Sequence, residues 1–180
     1  MALPLTPGSY VIDKAHSNVE FTVKHLGLAR VRGRFEDFDA TIKVGDDLTT
    51  TSVEATVALA SVNTSNSDRD AHLKGTDFFS VETASKMMFR SASVSGSTGA
   101  YKLAGELTLR GITKQVTLDV DFNGTEKNPF TQGTQIGFSA TGEIMRSDFG
   151  ITFNVPLGGD QFLVSDKVKI ELELEFVPSP

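Results

Sequence analysis

Cysteine and tryptophan are absent from this chain of 180 residues, tyrosine occurs twice and proline six times. Without cysteine there is neither a disulfide framework nor a thiolate metal site. No apolar run approaches the roughly 20 residues of a membrane-crossing helix, and Met1 to Gly8 lacks both the basic start and the apolar stretch of a secretory leader. These absences predict a cytoplasmic protein with no stable membrane insertion, for which only transient membrane contact stays open. Positive charge is also short, with 17 Lys and Arg against 23 Asp and Glu and a net charge of -6. That balance opposes a nucleic-acid partner or a general binder of anionic membranes. G-x-S-x-G, P-loop, G-x-G-x-x-G and H-E-x-x-H patterns are missing, so neither catalytic residues nor cofactors are expected.

What is present is alternation. Lys167 to Phe176 places Val168, Ile170, Leu172, Leu174 and Phe176 on one face and only charges on the other, the signature of a half-buried strand. The same period recurs at Asn18 to Lys24, Arg30 to Phe35, Ser52 to Leu59, Tyr101 to Leu109, Val116 to Phe122 and Ile136 to Met145. With no long amphipathic helix to cover them, such strands pack against another sheet or curl into a barrel. The 13 Phe make the interior rich in apolar surface with no polar handle, which suits either a packed core or an apolar guest. The length fits one all-β domain, and residues 1–180 are read as a single unit without a linker.

Between the strands, Gly27 breaks the first long one, Gly45-Asp46-Asp47 and Gly158-Gly159-Asp160 read as turns, and Gly96 to Gly99 as a hairpin loop. Thr125 to Gly133 reads as a flexible loop and Pro178 to Pro180 as a tail. Ser67 followed by Asp70 has capping-box spacing, which predicts one short helix over Asp68 to Lys74, closed by Gly75.

Four stretches fall in register on this framework: Y-V-I-D-K-A-H-S-N-V-E-F-T-V-K-H-L-G at Tyr10 to Gly27, R-D-A-H-L-K-G-T-D-F-F at Arg69 to Phe79, G-E-L-T-L-R-G-I-T-K at Gly105 to Lys114 and R-S-D-F-G at Arg146 to Gly150. Together they resemble the YceI-like family of bacterial lipocalin-like proteins over nearly the whole chain. The resemblance implies an all-β fold, an extended eight-stranded antiparallel lipocalin-like barrel with one short helix and a hydrophobic pore. It also implies a non-enzymatic protein that binds or carries an isoprenoid lipid, of polyprenyl phosphate or polyprenyl quinone type; a homodimer is allowed.

Strand parity then selects the expected pore lining: Phe21, Val23, Phe35, Val57, Met87, Phe89, Leu107, Leu109, Ile136, Phe138, Ile170 and Leu172. Arg30, Arg32 and Arg34 lie on the opposite face from Val31 and Phe35 and are expected in solvent. No metal site is expected, because His16 and His25 read as hydrogen-bonding groups at strand ends. Arg69, Asp70 and Asp77 around the helix, and Arg146 and Asp148 in the R-S-D-F-G turn, read either as ion pairs across the barrel mouth or as an arginine facing a prenyl phosphate. The alternative function is a small barrel hydrolase or isomerase using His72 with Asp68 or Asp70, which requires those groups to converge on a cleft.

Overall fold

Strands that are dry on one face and have no helix to lean on must cover one another, and here they do so by closing a ring. The computed structural model describes residues 3–180. Its strands are β1 (Gly8–Ile12), β2 (Asn18–His25), β3 (Ala29–Phe35), β4 (Phe38–Val44), β5 (Ser52–Ala58), β6 (Val62–Asn63), β7 (Lys86–Ser97), β8 (Ala100–Leu109), β9 (Ile112–Lys127), β10 (Thr134–Met145), β11 (Pro156–Gly158), β12 (Gln161–Phe162) and β13 (Lys167–Pro178). Antiparallel pairing runs β1-β4-β5-β7-β8-β9-β10-β13, and β13 returns to β1 through Ile12↔Phe176 and Tyr10↔Pro178. The result is a closed eight-stranded antiparallel barrel, a topology that removes open edges from its ring.

β2 and β3 lengthen the barrel beyond that ring. β2 continues along β13 where β1 leaves it, with Leu172 opposite Val19, and β3 pairs with β2 through Phe21↔Gly33. On its other edge β3 meets, among the described residues, only the short β6, at Arg34 and Phe35. There the lumen is covered by α1 (Ser67–Lys74) and the segment after it, with the Phe79 ring 5.7 Å from that of Phe35. Asn66 caps α1 rather than Ser67, accepting from the Arg69 N–H at 2.9 Å, and Asp70 turns back to Thr64, so the predicted capping box is replaced by an Asx cap.

One row of inward side chains changes character along the barrel. Near the β1 end, Tyr10, Ile12, Ile42, Val44, Tyr101, Ile136 and Phe176 are buried against one another. Toward the β2–β3 turn, residues of the same parity, Val19, Phe21, Val23, Val31 and Ile170, are only half-buried. Tyr10, Val44 and Ile136 plug the first end, and the cavity lies on the other side of Ile12, Ile42, Tyr101 and Phe176.

Several boundaries differ from the sequence reading. β9 runs to Lys127 and β10 starts at Thr134, shortening the expected loop, and Pro178 belongs to the strand that closes the ring rather than to a tail. In β7 an extra residue, Ala92, lies between Ser91 (opposite Gly105) and Ser93 (opposite Ala104). Such a bulge shifts strand parity by one, which turns Val94 inward where uninterrupted alternation puts it outside. Arg30, Arg32 and Arg34 are exposed, as expected from their parity.

Candidate functional site: an apolar cavity in the barrel

The hollow half encloses a cavity of about 630 Å³, inside the roughly 300–1,000 Å³ range of small-molecule sites. Its floor is made by Leu3, Ile12, Ile42, Tyr101 and Phe176. Of the residues selected by parity, Phe21, Val23, Phe35, Val57, Met87, Phe89, Leu107, Leu109, Phe138, Ile170 and Leu172 all face it. Ile136 does not. It sits one register step past Phe138 toward the plugged end, only 1% exposed, and packs in the plug. Alternation reports which face a side chain takes but not how deep the hollow reaches.

Other lining residues were within reach of the same signal, among them Val31, Val116, Val120 and Val168, which share the dry parity. Leu73, Phe78, Phe79, Phe153, Leu163 and Val164 at the mouth carry no periodic signal, because they stand on α1 and on irregular segments. Phe78 and Phe153 pack at 5.3 Å between ring centres, and the His72 ring stands edge-on to both at 5.0 Å.

The polar groups at the mouth are held by structural bonds. Arg146, 6% exposed, lies against four backbone carbonyls: Nε donates to Ser165 at 2.9 Å, one terminal nitrogen to Ile151 at 2.9 Å and Phe153 at 2.8 Å, and the other to Val164 at 3.2 Å. It forms no pair with Asp148. Burial pushes its pKa down from the ordinary arginine value, and nearby Asp166 opposes that shift. Arg69 likewise donates to Thr64, through Nε to the hydroxyl at 2.8 Å and through a terminal nitrogen to the carbonyl at 2.7 Å. The expected ion pairs across the mouth are thus replaced by charged donors on neutral oxygens, because the irregular segments leave carbonyls that strands do not satisfy.

The pairing of His72 with Asp68 or Asp70 is not assembled. His72 Nε2 meets Asp77 at 2.9 Å, with both side chains about half exposed, while Asp70 accepts from the N–H and hydroxyl of Thr64 at 2.9 and 2.6 Å.

At the opposite end, Asp13, His16 and Glu175 bring one ligand atom each within 4.8 Å of one another. The group is a hydrogen-bonded clasp: His16 Nδ1 meets Asp13 at 2.9 Å, and the Gln135 amide donates to both Asp13 and Glu175 at 3.0 Å. His16 and Gln135 hold the Asp13 carboxyl below its usual range, and Asp13 raises the His16 pKa. The clasp ties the bend between β1 and β2 to β10 and β13. His25, at the other end of β2, bridges Val164 and lines the mouth.

Among the described residues no helix is long and apolar enough to cross a membrane. The family model described as the YceI-like domain matches residues 10–176. UPF0312 protein SAS2572 of Staphylococcus aureus strain MSSA476 is 41% identical over 170 residues, 93% of this chain and 96% of that protein. Among solved structures, the Campylobacter jejuni YCEI protein that crystallizes with large solvent channels is 32% identical, with a TM-score of 0.73 over 94% of this chain and 97% of that one. Burkholderia cenocepacia BcnA shares the fold at 23% identity, TM-score 0.78, covering 91% and 98%. A polyisoprenoid binding domain from Saccharophagus degradans shares it at 16% identity, TM-score 0.67, covering 94% and 98%. With a family model over nearly its full length and relatives of equal extent on the same lipocalin-like barrel, this chain belongs to the YceI-like family.

Proposed function

We propose that this protein encloses one isoprenoid lipid in its barrel and carries or buffers it without chemical change. The cavity is the observation that carries this reading: a hollow of about 630 Å³, long, plugged at one end and walled almost wholly by aliphatic and phenyl side chains. Each methylene-sized group moved there from water contributes roughly 0.8 kcal/mol, so a few isoprene units supply the gross drive for capture. Transfer from a bilayer gains little, because both media are apolar, and exchange with membranes is near balance. That suits a carrier. The relationship to a polyisoprenoid binding domain supports the same guest class.

The head group, a prenyl phosphate or a quinone ring, lies toward the mouth, where Arg69 and His72 line the cavity and bring donors next to Phe78 and Phe153. The bonds of Arg146, Asp70 and His72 described above support a binding role over catalysis, since they hold the mouth in shape. Solvent extraction of the purified protein followed by mass spectrometry tests the reading. A stoichiometric prenyl lipid is the expected result, whereas protein that neither contains such a lipid nor takes one up from prenyl-lipid micelles excludes it.

A further inference from the structure

The hollow end of the barrel carries a protruding apolar lip. Leu26 and Leu28 stand in the turn between β2 and β3, Val155 just before β11, and Leu157 and Phe162 on the β11–β12 ribbon, with exposures from 37% to 85%. Turn and ribbon are joined: the Leu26 N–H donates to the Leu163 carbonyl at 2.9 Å, and the Leu163 N–H to that of Val155 at 3.0 Å. A two-stranded ribbon is marginal in water by itself, and five large apolar side chains gathered at one end of a barrel mark an interaction surface.

Beside the lip, Lys24 and Arg30 stand directly opposite each other across the β2–β3 pair, both exposed. Neither has an ion-pair partner among the described residues, whereas neighbouring Arg34, Lys167 and Lys169 meet Glu36, Glu143 and Glu171. Like charges opposite one another in a sheet repel, and an external anion relieves that repulsion. Lys24 also lines the mouth of the cavity with Leu163 and Val164, so the lip, the cations and the opening form one surface.

We infer that this surface docks the barrel mouth-first onto a bilayer containing anionic phospholipid. The five lip side chains enter the interfacial layer, and Lys24 and Arg30 meet lipid phosphates. The net charge of -6 does not decide the contact, because charges beyond about 8 Å are screened at physiological salt and the bilayer senses the local groups, Lys24 and Arg30 against the single acid Asp160 of the ribbon tip. A second copy of the chain is a poorer occupant, since a twofold contact brings both Lys24–Arg30 pairs into one interface. Docking is independent of which guest fills the cavity, so it stands or falls apart from the isoprenoid reading.

The absence of tryptophan makes L28W a sole indole reporter at the lip. With full-length protein and vesicles of phosphatidylcholine containing about one-third phosphatidylglycerol, the indole emission shifts to the blue and the unsubstituted protein cosediments; vesicles of phosphatidylcholine alone give neither. K24Q and R30Q each lower partitioning about fivefold, L28D abolishes it, and D160N, which removes an acid from the ribbon tip, raises it. Leu28 is 85% exposed, so L28D melts at the same temperature as the parent. F130D is the control, because Phe130 is 94% exposed in the turn between β9 and β10 at the plugged end, and it binds as the parent does. The inference is overturned if the unsubstituted protein ignores anionic vesicles, if L28D binds them undiminished, or if F130D removes binding. It is equally overturned if L28D dissociates a dimer in sedimentation velocity and leaves vesicle binding intact.

Discussion

The ring of Phe21 lies over Gly33, its direct partner across the β2–β3 pair, in the space that a Cβ on residue 33 would occupy. A large inward side chain leans on a glycine instead of standing into the lumen, which keeps the cavity open at that level. Phe35 packs on the same ring at 5.5 Å. Gly142 plays the same part for Leu118 between β9 and β10.

Gly33→Ala is therefore expected to push the Phe21 ring into the cavity. The crowding costs about 1–3 kcal/mol in urea denaturation, and the lipid load seen by native mass spectrometry falls. A variant with unchanged stability and unchanged load would show that the ring does not hold the lumen open.

Ala55 and Ala140 line the cavity on β5 and β10. Ala55→Phe or Ala140→Phe fills part of it, at a similar cost of about 1–3 kcal/mol, and selects shorter guests. If both variants fold and still copurify with the same long lipid as the parent, the guest does not lie along these rows. Leu107→Asp, which puts an unpaired carboxylate at a position 7% exposed, is expected to lose both guest and stability to a greater degree.

Arg146→Lys keeps the charge and loses the planar fork that reaches four carbonyls. At least two carbonyls are left unsatisfied, for a loss of about 3 kcal/mol. Hydrogen exchange should rise across residues 151–165 and stay unchanged in β7 and β8. Uniform exchange across the chain would mean that this arginine does not organise the mouth separately from the barrel.

The Asp13–His16 pair makes stability depend on pH in two directions. The lowered Asp13 pKa contributes stability above the ordinary carboxylate value of about 4, and it is lost as pH falls through the folded value. The raised His16 pKa contributes below the ordinary histidine value of about 6.5, and it is lost as pH rises through the folded value. The difference in urea midpoint between the parent and His16→Asn is thus expected to be largest between about pH 4 and 6.5 and to shrink on both sides. A difference independent of pH would assign His16 a packing role only.

The barrel walls were readable because a half-buried strand writes its orientation into every second residue. Val168 to Phe176 and Leu103 to Leu109 announce their inner faces with no help from the rest of the chain. Where one extra residue intervenes, as at Ala92, the signal inverts: parity counted from Met87 and Phe89 puts Val94 outside, whereas it lines the cavity. At the mouth the short helix and its charged residues Arg69 and Arg146 were readable, but the apolar contacts were not. Phe78, Phe153 and Leu163 come together from separate irregular segments through contacts with no period.

Local sequence determined which side chains face inward, since pleating ties orientation to position within each strand. Closure, depth and polarity were decided only by the tertiary structure. Whether Pro178 meets Tyr10, whether Ile136 belongs to the plug while Phe138 borders the cavity, and whether Arg146 meets a carboxylate or four carbonyls all depend on residues far away in the chain. Those relations follow from how strands from both termini are staggered around one ring, and that stagger is a property of the closed sheet rather than of any segment within it.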